Sequence, residues 1–135
     1  MIVDTSALLA ILFEEKDAAN YAAALASSDR PRISAANLLE AGIVIDNQAG
    51  LSAGRQLDAL VERARMDVAP VTYEHVRIAR QAYLDFGKGN HPAGLNFGDC
   101  FAYALAKTTG EPLLFKGDDF AKTDVLGALA TTPAH

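Results

Sequence analysis

The sequence predicts an α/β fold in which helices cover both faces of a parallel sheet. Short apolar or β-branched stretches, such as Ile2-Val3 and Pro112-Leu113-Leu114-Phe115, alternate with longer stretches of helical periodicity. That alternation favours parallel strands joined by helices. Acidic residues also follow the first and last predicted strands, at Asp4 and Asp118. Open α/β sheets bind their ligands beyond the carboxyl ends of the strands, so these acids mark a candidate site.

The first third of the chain predicts a buried strand, two short helices and a second strand. Ser6 can cap a helix that runs to Phe13, and Asp17 can cap an alanine-rich helix that runs to about Ala26. Pro31-Arg32 then leads into a weak strand at Ile33. The two helices carry more apolar residues than one short helix needs, and this surplus could bind a partner helix or simply pack into the core. The residues concerned are Leu8 to Phe13, Tyr21, Ala22 and Leu25.

The middle of the chain predicts two further helices and a strand. Ser34 can cap a helix, and a second helix runs from Ser52 to about Ala64. Val68-Ala69-Pro70-Val71 is a strand candidate. We expect three residues to mark the buried face of the first of these helices: Leu38, Leu39 and Ile43.

The last third predicts a loop between two helices, then a buried strand. Thr72 can cap a helix that places Val76, Ala79 and Tyr83 on one side, and residues 87–95 carry three glycines and a proline, as loops do. Phe97, Phe101 and Leu105 repeat every four residues and predict a strong helix that Gly110 ends. Thr131–His135 is predicted to be a frayed tail.

Composition limits the class of protein. The 135 residues suit a single domain over 1–135, and 50% of them are hydrophobic, so a sizeable core can form. The single cysteine, Cys100, excludes an internal disulfide and a cysteine-rich zinc site. No apolar run approaches the ~20 residues that span a bilayer, and Met1-Ile2-Val3-Asp4 does not begin a signal peptide. We therefore expect a cytoplasmic protein that does not enter a membrane.

Four acids form the candidate catalytic set: Asp4, Glu40, Asp99 and Asp118. Each also has an ordinary structural explanation. Asp4 could cap the helix after it, Glu40 could be a partly exposed helix residue, Asp99 could stabilise a helix N-terminus, and Asp118 could be a turn acid. Taken together, however, they lie on elements that we expect to meet at one end of the sheet.

Such a cluster favours a divalent cation. Crowded carboxylates repel one another, and a cation between them removes that cost. Oxygen ligands suit Mg²⁺ or Mn²⁺ better than zinc, and such a site can activate water against a phosphodiester. The net charge of −5 argues mildly against a nucleic-acid ligand, but bound cations would offset it where a phosphate lies.

The chain resembles the PIN domain and, within that family, the VapC toxins of bacterial toxin–antitoxin pairs. The resemblance covers nearly the whole chain, and its Asp4 and Asp99 segments are the most specific. Four stretches carry it: Met1-Ile2-Val3-Asp4-Thr5-Ser6-Ala7-Leu8, Ser34 to Glu40, Asn96-Phe97-Gly98-Asp99-Cys100-Phe101-Ala102-Tyr103-Ala104-Leu105-Ala106, and Leu113 to Phe120.

The resemblance implies a three-layer α/β/α sandwich and an acid cluster that binds Mg²⁺ or Mn²⁺. It also implies endonucleolytic cleavage of RNA, often tRNA or ribosomal RNA, which arrests translation. The family usually forms homodimers, and a cognate antitoxin holds it inactive by covering the site with its C-terminal segment.

Residue roles follow from the same resemblance. Asp4, Asp99 and Asp118 would hold the metal, while Glu40 would ligate it or orient the water. Many relatives have a spaced Thr-x-Asp-x-Asp-Phe stretch where this chain has Phe115-Lys116-Gly117-Asp118-Asp119-Phe120, so Asp119 is the alternative fourth acid. Ser6 and Asn96 are expected to support neighbouring acids. Lys116 and Lys88 are candidates for contact with RNA, although either could be a solvated lysine.

Two competing hypotheses remain open from the sequence. A haloacid-dehalogenase-like phosphatase would use Asp4 as its nucleophile, but that chemistry usually has an Asp two residues later, where this chain has Ser6. A catalytically inactive PIN-like binding module would be expected to lack one or more of the acids, and this chain keeps them all.

Overall fold

The computed structural model describes residues 1–129, and the predicted tail at Thr131–His135 lies outside them. In this range four strands form one parallel sheet in the spatial order β3-β2-β1-β4. The central position of β1 places the residue that follows it at the middle of the carboxyl edge. The strands are β1 (Ile2–Val3), β2 (Arg32–Ser34), β3 (Asp67–Ala69) and β4 (Leu113–Leu114).

Helices cover both faces of this sheet, which confirms the predicted three-layer α/β/α architecture. The helices are α1 (Thr5–Leu12), α2 (Ala18–Ser27), α3 (Ala35–Arg63), α4 (Tyr73–Phe86) and α5 (Phe97–Thr109), followed by a 3₁₀ turn at Phe120–Lys122. Successive strand residues point to opposite faces. Ile2 and Leu113 therefore pack into a core with α4 and α5, whereas Val3 and Leu114 pack into a core with α1, α2 and α3.

Two of the predicted helix caps are confirmed, Asp17 is the N-cap of its helix without a side-chain bond, and the cap predicted at Ser6 is wrong. Ser34 Oγ accepts from the N–H of Ala36 at 3.3 Å, and Thr72 Oγ1 accepts from the N–H of His75 at 3.1 Å. Helix α1 begins before Ser6, because Asp4 is its N-cap and accepts the N–H of Ser6. Asp17 precedes α2 but makes no capping hydrogen bond, since its carboxylate binds a lysine ammonium group instead.

Helix α3 corrects the predicted buried face. Of the three residues predicted, Leu38 packs against the core. Leu39 and Ile43 are 65% and 51% exposed, whereas Asn37, Ala41 and Ile45 are buried. These three residues recur every four positions, so they form the stripe of α3 that faces the protein interior. The two helices predicted here are both present within this range, and they meet at Gly50, whose φ of 83° and ψ of 177° are not helical.

The other departures from prediction are local. Strand β3 ends at Ala69, because Pro70 has no N–H to continue the ladder. Tyr21 and Leu25 are buried in the core, which settles their role in favour of packing. No helix among residues 1–129 combines the length and apolarity needed to cross a membrane.

Candidate active site

Asp4 lies at the centre of the carboxyl edge of the sheet, directly after β1. Its N–H donates to the carbonyl of Leu114 at 2.9 Å, which fixes it beside the end of β4. Its side chain is almost completely buried, at 3% exposure. The N–H and the hydroxyl of Ser6 both donate to Asp4 Oδ2, at 3.0 and 2.6 Å. The N–H of Lys116 in turn donates to Ser6 Oγ at 2.9 Å, so Ser6 links the acid to the segment after β4.

Asp99 lies in the first turn of α5, where reciprocal hydrogen bonds hold it. Its N–H donates to Asn96 Oδ1 at 2.9 Å, and its Oδ2 accepts from the N–H of Asn96 at 3.0 Å. This capping box satisfies two backbone donors at the helix terminus. Asn96 therefore orients the neighbouring acid, as expected from the sequence, and the bond to the acid comes from its backbone.

Glu40 reaches the same place from α3. Its carboxylate lies against the backbone of Gly98, so close that an added Cβ at Gly98 would be 2.3 Å from Glu40 Oε2. The side chain of Asn37, one turn earlier on α3, donates to the carbonyl of Gly98 at 2.9 Å. Neither Asn37 nor Gly98 was predicted as a site residue. The only available signal was a glycine in the first turn of a helix, where its lack of a side chain requires a reason.

The pKa values show that the acids share one environment. Burial raises the pKa of Asp4 from 3.8 to about 7 against the opposing hydrogen bonds from Ser6, and the charges of Asp99 and Glu40 raise it as well. Burial likewise raises the pKa of Asp99 from 3.8 to about 6, opposed by the Asn96 N–H and assisted by the charges of Asp119 and Glu40. The four acids come from four distant segments, and each of the others repels Asp4, Asp99 or both.

The donor set fits a hard divalent cation. Asp4 Oδ1 is a buried oxygen that has no hydrogen-bond partner, and a cation would satisfy it. Among residues 1–129, no three Asp, Glu, His or Cys side chains converge closely enough to hold an ion as they stand. Carboxylates repel one another, so a converged arrangement needs a cation between them. Binding would therefore require side-chain movement.

The two candidates for the fourth acid lie in the turn after β4 and have different surroundings. Both Asp118 and Asp119 are exposed. The charge of Asp119 acts on Asp99, whereas Asp118 lines a different cavity with Tyr21 and Phe115. The electrostatic contact therefore favours Asp119, the alternative named from the sequence.

The two lysines differ in their surroundings. Lys116 Nζ lies 2.7 Å from Glu15 Oε2 and 2.9 Å from Asp17 Oδ1, so its charge is engaged by the loop between α1 and α2. These hydrogen bonds raise the pKa of Lys116. Lys88 is exposed at a cavity between α4 and α5 that Phe97 also lines. Among the described residues, Lys116 forms ion pairs and Lys88 forms none, so Lys88 is the more available of the two for contact with RNA.

Comparison with known proteins defines the family. Residues 1–126 match the model of the PIN domain, so the chain belongs to the PIN-domain family. The chain is also 58% identical to ribonuclease VapC28 of Mycobacterium tuberculosis over 130 residues. The aligned region covers 96% of this chain and 98% of that protein. It is 49% identical to ribonuclease VapC of Mycolicibacterium smegmatis, over 93% of this chain and 97% of that protein. The similarity to VapC ribonucleases therefore extends over nearly the whole chain.

A solved structure agrees on the fold. VapC20 of Mycobacterium tuberculosis, described as a toxin that cleaves the sarcin–ricin loop, superposes with a TM-score of 0.76 and covers 93% of this chain and 95% of its own. Its sequence is 17% identical, so the likeness supports the architecture alone.

Proposed function

We propose that this protein is a divalent-metal-dependent endoribonuclease that acts as the toxin of a toxin–antitoxin pair. Membership in the PIN family and 58% identity to a VapC ribonuclease support the nuclease activity. The observation on which the metal dependence rests is the buried, unpartnered Oδ1 of Asp4, within the electrostatic reach of Glu40 and Asp99.

We assign the metal-holding role to Asp4, Asp99 and Asp119, with Asp118 as the alternative to Asp119. When bound, Mg²⁺ or Mn²⁺ would supply a water activated for attack and would stabilise the charge that develops on the phosphate. Ser6 holds the carboxylate of Asp4 in one orientation, and Asn96 does the same for Asp99. Glu40 has a free acidic group beside Asp99 and can ligate the ion or accept a proton from the attacking water.

The substrate and partners are further parts of the proposal. The target is cellular RNA, with tRNA and ribosomal RNA as the leading classes, and the place of action is the cytoplasm. Exposed apolar side chains on α3, together with others on α4 and at the start of α5, provide surfaces for an antitoxin and for a second copy of the chain. These side chains are Leu39, Ile43, Leu51, Tyr73, Val76, Tyr83, Leu84 and Phe97.

The two alternative functions have less support. A phosphatase of the haloacid dehalogenase type usually has an Asp at position 6 as its general acid, but this chain has Ser6 there and belongs to a different family. An inactive binding module has no need to bury Asp4 within reach of the charges of Glu40 and Asp99, and the chain retains all three acids.

The test compares the protein with Asp99→Asn, a variant of nearly equal size. After a brief pulse of expression, RNA 5′ ends are sequenced, and new ends in the wild type alone would identify the target. The purified wild type should cut that RNA with Mn²⁺ and stop when chelator is added. Cleavage by Asp99→Asn at the wild-type rate, or cleavage that persists in chelator, would refute the proposal.

A further inference from the structure

Asn37 connects the three segments that carry Asp4, Glu40 and Asp99. It is fully buried in the first turn of α3, three residues before Glu40. Thr5 Oγ1 donates to the main-chain carbonyl oxygen of Asn37 at 3.1 Å, and the side-chain Nδ2 of Asn37 donates to the main-chain carbonyl oxygen of Gly98 at 2.9 Å. These partners are 32 and 61 residues away in sequence, so the contacts are tertiary.

Each contact of Asn37 lies one residue from an acid. Thr5 directly follows Asp4, and Gly98 directly precedes Asp99. The two hydrogen bonds of Asn37 therefore hold α3, and with it Glu40, against the start of α1 and the first turn of α5. A shift of α3 that moved Glu40 away from Asp99 would first have to break one of these two hydrogen bonds.

Packing alone does not account for an asparagine at this position. Its Oδ1 is buried without a hydrogen-bond partner, as is Asp4 Oδ1. A buried polar group that is only half satisfied destabilises a fold, and an apolar residue of similar size would avoid the penalty. The neighbouring buried positions of the same stripe, Ala41 and Ile45, are apolar. The amide at position 37 is thus an exception that stability does not explain.

We propose that Asn37 is a positioning residue of the carboxylate site. By joining Thr5 to Gly98 it sets the spacing of Asp4, Glu40 and Asp99, and so sets the affinity of the site for a divalent cation. This inference rests on the proposed function, because it assumes that these acids bind a cation. Asn37 itself need not contact the RNA or the reacting atoms.

The test is a titration of the folded protein with Mn²⁺ alone, followed by calorimetry or by the spin-resonance signal of free Mn²⁺. Asn37→Leu removes the amide and keeps most of the volume. We expect it to weaken Mn²⁺ binding by about tenfold or more, as loss of a group that orients metal ligands commonly does. Thr5→Val removes the other hydrogen bond with almost no change of shape, and should weaken binding by roughly threefold.

A matched control separates positioning from general destabilisation. Leu57→Ala truncates a buried core residue of α3 that lies beyond the break at Gly50 and outside the site. It should lower the melting temperature and leave the Mn²⁺ dissociation constant unchanged. Circular dichroism confirms that each variant is folded at the temperature of the titration. If Asn37→Leu does not fold, Asn37→Ala, which removes the same amide donor to Gly98, decides the question together with Thr5→Val.

The outcomes distinguish the inference from the function on which it rests. Wild-type protein that binds no Mn²⁺ would overturn both. A wild type that binds Mn²⁺, with Asn37→Leu and Thr5→Val binding it equally well, would overturn the positioning role and leave the nuclease proposal in place. Weaker binding by both variants, with Leu57→Ala unaffected, would support the role.

Discussion

The carboxylate of Glu40 lies against the α-carbon of Gly98, at the point where α3 meets the first turn of α5. An added Cβ at Gly98 would lie 2.3 Å from Oε2 and 2.7 Å from Oε1 of Glu40. Contacts this short cannot form, so the glycine reserves the space that the acid occupies. Because Gly98 precedes Asp99, the same contact holds Glu40 where its charge raises the pKa of Asp99.

The first prediction concerns Gly98→Ala. The added methyl group should push the carboxylate of Glu40 out of the site, while the flexible end of that side chain lets the fold adapt. We expect RNA cleavage to fall by about tenfold or more, because misplacing a catalytic group by about 1 Å is costly. The melting temperature should change little. Cleavage assays and thermal unfolding of the purified variant check both parts.

Gly42→Ala is the matched control, since Gly42 also lies in a helix. An added Cβ there would meet only Leu57 Cδ2, at 3.9 Å, which is ordinary contact. The change should leave cleavage unaltered and stabilise the helix by about 0.5–1 kcal/mol. Equal cleavage by the two alanine variants would show that the position of Glu40 does not matter.

The second prediction concerns the metal-free stability of Asp4→Asn. Burial raises the pKa of Asp4 to about 7, above its ordinary value of 3.8, so the folded state binds the proton more tightly than the unfolded state. The resulting penalty is absent below the unfolded pKa, grows as pH rises, and is complete above the folded pKa. In chelator near pH 8, Asp4→Asn should be more stable than wild type by roughly 1–3 kcal/mol.

Urea unfolding followed by circular dichroism at about pH 8 and about pH 4 measures this effect. The stability difference between variant and wild type should shrink at the lower pH. A variant that is less stable than wild type at the higher pH would show that burial of the charged form costs the fold nothing.

The third prediction distinguishes Asp118 from Asp119. The charge of Asp119 raises the pKa of Asp99, whereas Asp118 has no such effect. Asp119→Asn should therefore lower the pKa of Asp99 in metal-free protein and reduce cleavage by about tenfold or more, as loss of a metal ligand would. Asp118→Asn removes the same charge from the neighbouring residue and serves as the control. It should leave the pKa of Asp99 and the rate of cleavage close to those of the wild type. Carboxyl carbon NMR follows the titration, and the reverse pattern would assign the fourth acid to Asp118.

The fourth prediction concerns the ion pairs of Lys116. Its hydrogen bond to Asp17 holds the pKa of that carboxylate below 3.8. This pair stabilises the fold above the ordinary pKa of Asp17, and the contribution is lost as pH falls through the lowered value. Lys116→Met should raise the pKa of Asp17 toward its ordinary value. NMR titration of the carboxyl group measures the shift.

Lys122→Met provides a control for loss of one positive charge from the same region. If Lys122→Met shifted the pKa of Asp17 as much as Lys116→Met did, the effect would be one of overall charge. If Lys116→Met left the pKa unchanged, the ion pair would not persist in solution.

The sequence by itself determined the features that depend on neighbouring residues. Alternating strands and helices, the caps at Ser34 and Thr72, and the end of α5 at Gly110 follow from local geometry and hydrogen bonding. The acids at the strand ends could be named for the same reason, since the carboxyl edge of a parallel sheet is a predictable place.

Only the tertiary structure decided which side chains meet. The buried face of α3 was mispredicted because the exposed Leu39 and Ile43 are more apolar than the buried Asn37 and Ala41, so hydrophobicity pointed to the wrong face. Asn37 reaches across 61 residues to Gly98, and Lys116 across 101 to Glu15. Contacts at such separations depend on how helices pack on the sheet, and no local pattern encodes that packing.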